Sequence, residues 1–186
     1  GLIDGLSFAH KQGTIHRDIK PENIMFADGS IEPIICDFGI AHFAEEDMLT
    51  IIETKENDRM ANFQYAAPEQ RKKGGKVCCQ TDIYALALIL NEMFTQEIPQ
   101  AAGHKRIESV NPEYKYLDEL FDKLFQQEPE ARLYPEEAIL TELKLLTERY
   151  KREEEKKKLV VVALVDTLEY LKKGGRISKT VAFAGT

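Results

Sequence analysis

Apolar positions along the chain fall into a few periodic blocks separated by polar stretches. Leu2, Ile3, Leu6, Phe8 and Ala9 recur at roughly helical spacing, and Gly13 follows as a helix stop, so the chain opens in the middle of a helix. A polar knot runs from His16 to Asn23. After it, Ile24-Met25-Phe26 and the run from Ile31 to Cys36 flank Asp28-Gly29, a pattern that predicts a β-hairpin. Pro33 in the second arm marks an edge or a bulge, because proline has no N–H to give to a ladder. Ile83 to Phe94 is apolar on nearly every face apart from Asn91 and Glu92, which predicts a helix enclosed on all sides at the centre of the core. Leu117, Leu120, Phe121 and Leu124 repeat at i, i+3, i+4, i+7, and Pro135 stands where a helix through Leu146 begins, giving two more core-facing helices.

The stretches between these blocks carry other signals. From Asp37 to Glu69 periodicity is poor and charge is dense, which predicts a long, mobile segment of the functional kind. Lys151 to Lys158 reads as a solvated helix supported by Glu148/Arg152, Glu153/Lys157 and Glu154/Lys158 pairs. Val161, Leu164, Leu168 and Leu171 then form an apolar stripe, ended by Gly174-Gly175, that packs on the domain or on a partner helix. The expected architecture is mainly α with one short hairpin. It divides into a domain over residues 1–148 and a charged helix with a C-terminal extension over 149–186.

Composition narrows the function classes. The 186 residues are 43% hydrophobic and 31% charged, enough apolar content for a packed core. Lys plus Arg number 25 against 32 Asp plus Glu, so the net charge is 25 − 32 = −7, which argues against a nucleic-acid binder. Cys36, Cys78 and Cys79 are odd in number and form no Cys-x-x-Cys pair, a usage that fits a reducing, cytoplasmic setting. The apolar runs Ile83 to Leu90 and Leu159 to Val165 fall far short of the roughly 20 residues that cross a bilayer, so no membrane span is expected. His10, His42 and His104 are scattered and carry no motif, and His16 reads as a packed, hydrogen-bonded core histidine.

The candidate chemistry follows from the hairpin. Antiparallel arms bring the chain back to its start, so Asn23, just before the first arm, lies beside Asp37, just after the second. Two oxygen donors then share one end, with Asp18 five residues upstream of Asn23 and Lys20 between them. Hard oxygen ligands suit Mg²⁺, a spare carboxylate suits proton acceptance, and a lysine supplies a point charge. A metal, a base and a cation on one rim are what phosphoryl transfer needs, since its transition state is stabilised by positioning and charge neutralisation.

His16-Arg17-Asp18-Ile19-Lys20-Pro21-Glu22-Asn23 resembles the catalytic loop of eukaryotic-type protein kinases. Asp37-Phe38-Gly39 is similar to their metal-binding motif, and Ala67-Pro68-Glu69 resembles the motif that closes the activation segment, in the family's order and approximate spacing. The Lys-Pro-Glu-Asn wording resembles serine/threonine kinases. Asp82-Ile83-Tyr84 is similar to the start of the central helix of the kinase large lobe, and Arg132 to the arginine that pairs with the Ala-Pro-Glu glutamate. The resemblance covers about residues 1–148 and implies the helical large lobe of a kinase that uses ATP and Mg²⁺ on a protein substrate.

Carried across by residue, the resemblance makes Asp18 the group that orients the substrate hydroxyl and accepts its proton, and Lys20 the γ-phosphate neutraliser. Asn23 and Asp37 hold Mg²⁺. Met25 matches the apolar position under the adenine ring, though its side chain fits a core position equally well. Arg17 pairs with a phosphorylated residue of the activation segment, where Thr50 and Thr54 are the only hydroxyl candidates between Asp37 and Tyr65, or with the acidic residues there. His16, Glu69, Asp82 and Arg132 are structural.

The sequence departs from the family pattern in three places. The small lobe, with its glycine-rich loop, strand lysine and helix glutamate, has no counterpart upstream of Gly1, so half of the nucleotide cleft is missing and the isolated chain is expected to be inactive. Asn62 stands where the serine/threonine marker threonine would be, and Ala85 and Ala87 replace the usual Ser and Gly. Two rival readings are a non-catalytic, kinase-derived binding module and a small-molecule phosphotransferase of the antibiotic-kinase type. The Ala-Pro-Glu motif and the long segment before it speak against the phosphotransferase.

Overall fold

The computed structural model describes residues 1–38, 64–100 and 103–173, without the side chains of residues 170 and 171. Thr50, Thr54, Asn62, Gly39 and most of the charged stretch after Asp37 lie outside the described residues. The helices are α1 (Leu2–Lys11), α2 (Cys79–Thr95), α3 (Tyr116–Leu124) and α4 (Glu136–Lys172), and the strands are β1 (Ile24–Phe26) and β2 (Pro33–Ile35). Residues Gly1–Leu146 make one compact unit and Thr147–Thr186 a second.

In the first unit α2 is the centre. Ile83, Leu88 and Ala87 are almost wholly buried, and all but two of the residues from Thr81 to Asn91 are inaccessible on every face. The helix starts after the extended Cys78, whose N–H donates to Thr81 Oγ1 at 3.1 Å, and ends at Gln96, whose left-handed φ of 57° turns its N–H onto the Glu92 carbonyl. Asn91 is buried as well, because its amide donates to the Lys105 carbonyl at 3.0 Å. Leu117, Leu120, Phe121 and Leu124 present one buried stripe of α3, and Phe121, Phe125 and Tyr84 stack in sequence beside it. Burial of each large apolar side chain contributes roughly 1.5–3 kcal/mol, so this cluster is the main source of stability.

α1 closes on Gly13, whose φ of 74° lets its N–H reach the His10 carbonyl and that of Thr14 reach Ala9. The hairpin is shorter than the apolar run suggests. Only Phe26↔Pro33, Met25↔Ile34 and Ile24↔Ile35 pair, while Ile31 and Glu32 belong to the connection, where Gly29 takes a φ of 74°. Pro33 ends the ladder because it has no N–H for a further rung. The helix that starts after Pro135 does not stop near Leu146. The Glu- and Lys-rich stretch that follows has high helix propensity and continues it to Lys172.

Candidate active site

The hairpin fixes the floor of the site. Cys36 N–H donates to the Asn23 carbonyl at 2.8 Å, one step beyond the last ladder pair, so Asn23 is held alongside Cys36 and next to Asp37. Asn23 is buried, and its Nδ2 donates to the Asp18 carbonyl at 2.7 Å and to Asp18 Oδ2 at 3.2 Å. Lys20 Nζ lies 2.8 Å from the same Oδ2. Asp18, Lys20 and Asn23 therefore form one hydrogen-bonded cluster, and backbone register brings Asp37 to its edge. The Asp18 carboxylate is half exposed, so a molecule arriving from solvent can reach it.

The donor chemistry of this rim fits Mg²⁺. Asn23 spends its amide nitrogen on Asp18, which leaves its amide oxygen for a cation, and the Asp37 carboxylate is exposed beside it. Among the described residues no three histidine, cysteine or carboxylate side chains cluster to hold a metal by themselves, which suits an ion that keeps waters and binds with phosphates. Met25 is exposed on β1.

Two residues of the rim sit in the left-handed region: Arg17 at φ 69° and Asp37 at φ 64°. Each such position costs roughly 1–3 kcal/mol unless its surroundings hold it. Arg17 is held from both sides. The Asp82 carboxylate accepts the N–H of Arg17 and the N–H of His16, both at 2.8 Å, and Gln70 Nε2 donates to the Arg17 carbonyl at 2.7 Å. Gln70 is itself positioned by Ala67 N–H, which donates to its Oε1 at 2.9 Å. Near Asp37, His16 Nε2 donates to the Cys36 carbonyl at 2.8 Å while Nδ1 accepts from Asp18 N–H, and the ring meets Phe38 edge-on at 4.7 Å. His16 thus ties the loop carrying Asp18 to the strand end carrying Asp37.

Behind the rim lie two buried ionic clusters. Glu69 and Arg132 pair through Oε1–Nη1 at 2.6 Å and Oε2–Nη2 at 2.8 Å. The remaining guanidinium hydrogens go to the carbonyls of Gln80, Gln126 and Gln127, which spends all five donors, and the group also lies over the Tyr84 ring. Burial works against the Glu69 charge, but the bonds from Arg132, from backbone and from Thr81 outweigh it and lower the carboxyl's pKa.

The second cluster centres on His10, to which the sequence assigns no role. Its Nε2 is 2.8 Å from Asp82 Oδ2 and its Nδ1 contacts Glu136 Oε1, with all three side chains buried. Only the doubly protonated imidazolium donates from both nitrogens. Burial opposes that charge, but the hydrogen bonds and charges of Asp82 and Glu136 exceed it and raise the pKa of His10. Glu136 lies in the first turn of α4, where the helix dipole favours a carboxylate. His10, Gln70 and Glu136 are the supporting residues that the sequence reading misses. The one available signal is that His10 lies at the buried end of α1, six residues before His16.

Comparison with known proteins agrees with this arrangement. The family model for the protein kinase domain matches residues 1–166. A probable serine/threonine-protein kinase of Clostridium acetobutylicum is 33% identical over 168 residues, covering 83% of this chain and 25% of that protein. The serine/threonine-protein kinase PknB of Mycobacterium leprae is 33% identical over 141 residues, covering 68% of this chain and 22% of the relative. Among solved structures, the PknI kinase domain of Mycobacterium tuberculosis superposes with a TM-score of 0.57 at 22% identity, over 78% of this chain and 51% of that one, a likeness of fold. The chain thus spans about half the length of that solved domain and about a quarter of the curated relatives. Among the described residues, no helix is long and apolar enough to cross a membrane.

Proposed function

Because this chain belongs to the protein kinase family, we propose that Asp18, Lys20, Asn23 and Asp37 form the catalytic and metal-binding rim of a serine/threonine kinase large lobe. The reaction is transfer of the ATP γ-phosphate to a hydroxyl of a protein substrate. The observation that carries this reading is the shared use of Asp18 Oδ2 by Lys20 and Asn23 on an exposed rim, one residue from the hairpin end that bears Asp37.

In this proposal Asp18 orients the acceptor hydroxyl and takes its proton, a role that needs an ionised carboxylate reachable from solvent but fixed in direction. Lys20 lies beside it to neutralise charge on the transferred phosphoryl group. Asn23 Oδ1 and the Asp37 carboxylate hold Mg²⁺, which neutralises charge on the phosphate oxygens when bound. Met25, exposed on β1, forms the apolar floor for the adenine ring. Arg17, at the start of the loop, receives a phosphorylated Thr50 or Thr54 or the acidic residues near them. The domain runs over residues 1–148, with a charged helical extension beyond.

Asp18, Met25 and Asp37 all stand exposed, and nucleotide sites bury most of their ligand between walls. The isolated 186-residue chain is therefore expected to bind Mg-ATP weakly and to transfer little phosphate by itself. The test is labelling of a protein acceptor from γ-labelled ATP by the intact product of the gene, with Asp18→Asn and Asp37→Asn alongside. Labelling by the wild type that both variants lose supports the proposal. No labelling of protein by the wild type, or equal labelling by the variants, contradicts it.

A further inference from the structure

The second unit carries a surface that the kinase reading does not use. Along α4, Leu159 to Val162, Leu164, Val165 and Leu168 are each between 49% and 76% exposed. An unbroken apolar patch of this kind is rare on a protein that works alone, since burying each side chain would gain roughly 1.5–3 kcal/mol. Val161, Leu164 and Leu168 follow one another at spacings of three and four, which places them on one seam of the helix, and Val165 borders it.

The charges that flank the seam select its occupant. Glu154 and Lys158 lie before the apolar block, and Glu169 and Lys172 lie after it on the same side of the helix. If a second copy packed in parallel, Glu154 would face Glu154, Lys158 would face Lys158 and Lys172 would face Lys172. If it packed antiparallel about a point level with Ala163, Glu154 would face Lys172 and Lys158 would face Glu169, because these positions are equidistant from that point. The exposed pair between Lys157 and Glu154, at 2.8 Å, is of a kind worth at most about 1 kcal/mol and does not compete with such an arrangement.

We propose that residues 147–172 are a self-association element, through which two copies of this chain pair antiparallel with Val161, Leu164 and Leu168 in the seam. The pairing buries the apolar block in both copies and leaves each charged flank opposite its complement. It requires nothing of the phosphoryl-transfer site and stands or falls separately from it.

The test is sedimentation equilibrium of the 186-residue chain, with circular dichroism to show that every variant keeps its helix content. A dimer is expected, with Leu164→Glu/Leu168→Glu monomeric at roughly 100 μM. Lys172→Glu should weaken the dimer by about tenfold in Kd, and adding Glu154→Lys should restore it. A monomeric wild type at that concentration, or a dimer indifferent to Leu164→Glu/Leu168→Glu, overturns the proposal. A dimer unaffected or strengthened by Lys172→Glu overturns the antiparallel arrangement. A monomer that instead cosediments with vesicles of phosphatidylcholine and phosphatidylglycerol assigns the seam to a lipid surface and equally overturns it.

Discussion

Asp82 holds Arg17 in place: the N–H of Arg17 donates to Asp82 Oδ1 at 2.8 Å while Arg17 sits at a φ of 69°, a conformation that an arginine does not adopt unaided. The other oxygen of the same carboxylate takes the N–H of His16 and faces His10. One buried side chain on the central helix therefore fixes the backbone from which Asp18 projects. This is the link between core and site, because α2 is rigid where the loop is not.

Asp82→Asn replaces an ionised acceptor by an amide that cannot serve two N–H groups and a histidine with both oxygens. The loss is expected to lower stability by about 1–3 kcal/mol, read as a shift of the urea midpoint of the 186-residue chain. An unchanged midpoint would show that the loop holds its shape without the clamp.

Arg132 spends five donors on buried acceptors. Arg132→Ala leaves Glu69 charged and unpaired, at an expected cost of about 3–5 kcal/mol. Arg132→Lys should recover less than half of that, since an ammonium has three donors and no planar fork. Urea titration of both variants decides the point, and a lysine variant as stable as the wild type contradicts the geometry.

Gly75 is required by contact rather than by conformation. A Cβ there would lie 1.9 Å from the Glu69 carbonyl oxygen, so Gly75→Ala forces the turn away from the Glu69–Arg132 cluster. A loss of about 1–3 kcal/mol in thermal or urea unfolding is expected, against a change within about 0.5 kcal/mol for the nearby exposed Lys73→Ala. Equal behaviour of the two variants would rule out the clash.

Stability should fall on both sides of a plateau. The pKa of Glu69 is lowered on folding, so its contribution is complete above its ordinary 4.5 and is lost as pH falls through the folded value. The pKa of His10 is raised, so its contribution is complete below its ordinary 6.5 and is lost as pH rises through the folded value. The urea midpoint is thus expected to be flat between those two values and to decline beyond each. His10→Gln should flatten the alkaline limb alone, and an alkaline limb that survives it would place the titrating group elsewhere.

What the sequence makes legible is what is local or periodic. Asp28-Gly29 between apolar runs marks the hairpin, the unbroken apolar run marks α2, and the spacing of Leu117 to Leu124 marks α3, because each signal is complete within one element. The cluster of Asp18, Lys20 and Asn23 is likewise readable, since all three lie within six residues. The support of the site is not. His10 meets Asp82 across 72 positions and Glu136 across 126, and Gln70 meets Arg17 across 53, so no periodicity or spacing registers the contact. The end of α4 was hidden for a different reason: the switch from apolar to charged residues changes the surroundings of a helix without ending it, and no glycine or proline intervenes between Glu136 and Lys172.

The central claim is that Asp18 acts on the transferring group and not on the nucleotide. The direct measurement is kcat beside ATP affinity for Asp18→Asn in the intact gene product. The account predicts a fall in kcat of about 10²–10⁴-fold, with the dissociation constant for Mg-ATP within about threefold of the wild type. Wild-type turnover by Asp18→Asn, or a loss of activity explained entirely by lost nucleotide binding, would contradict it.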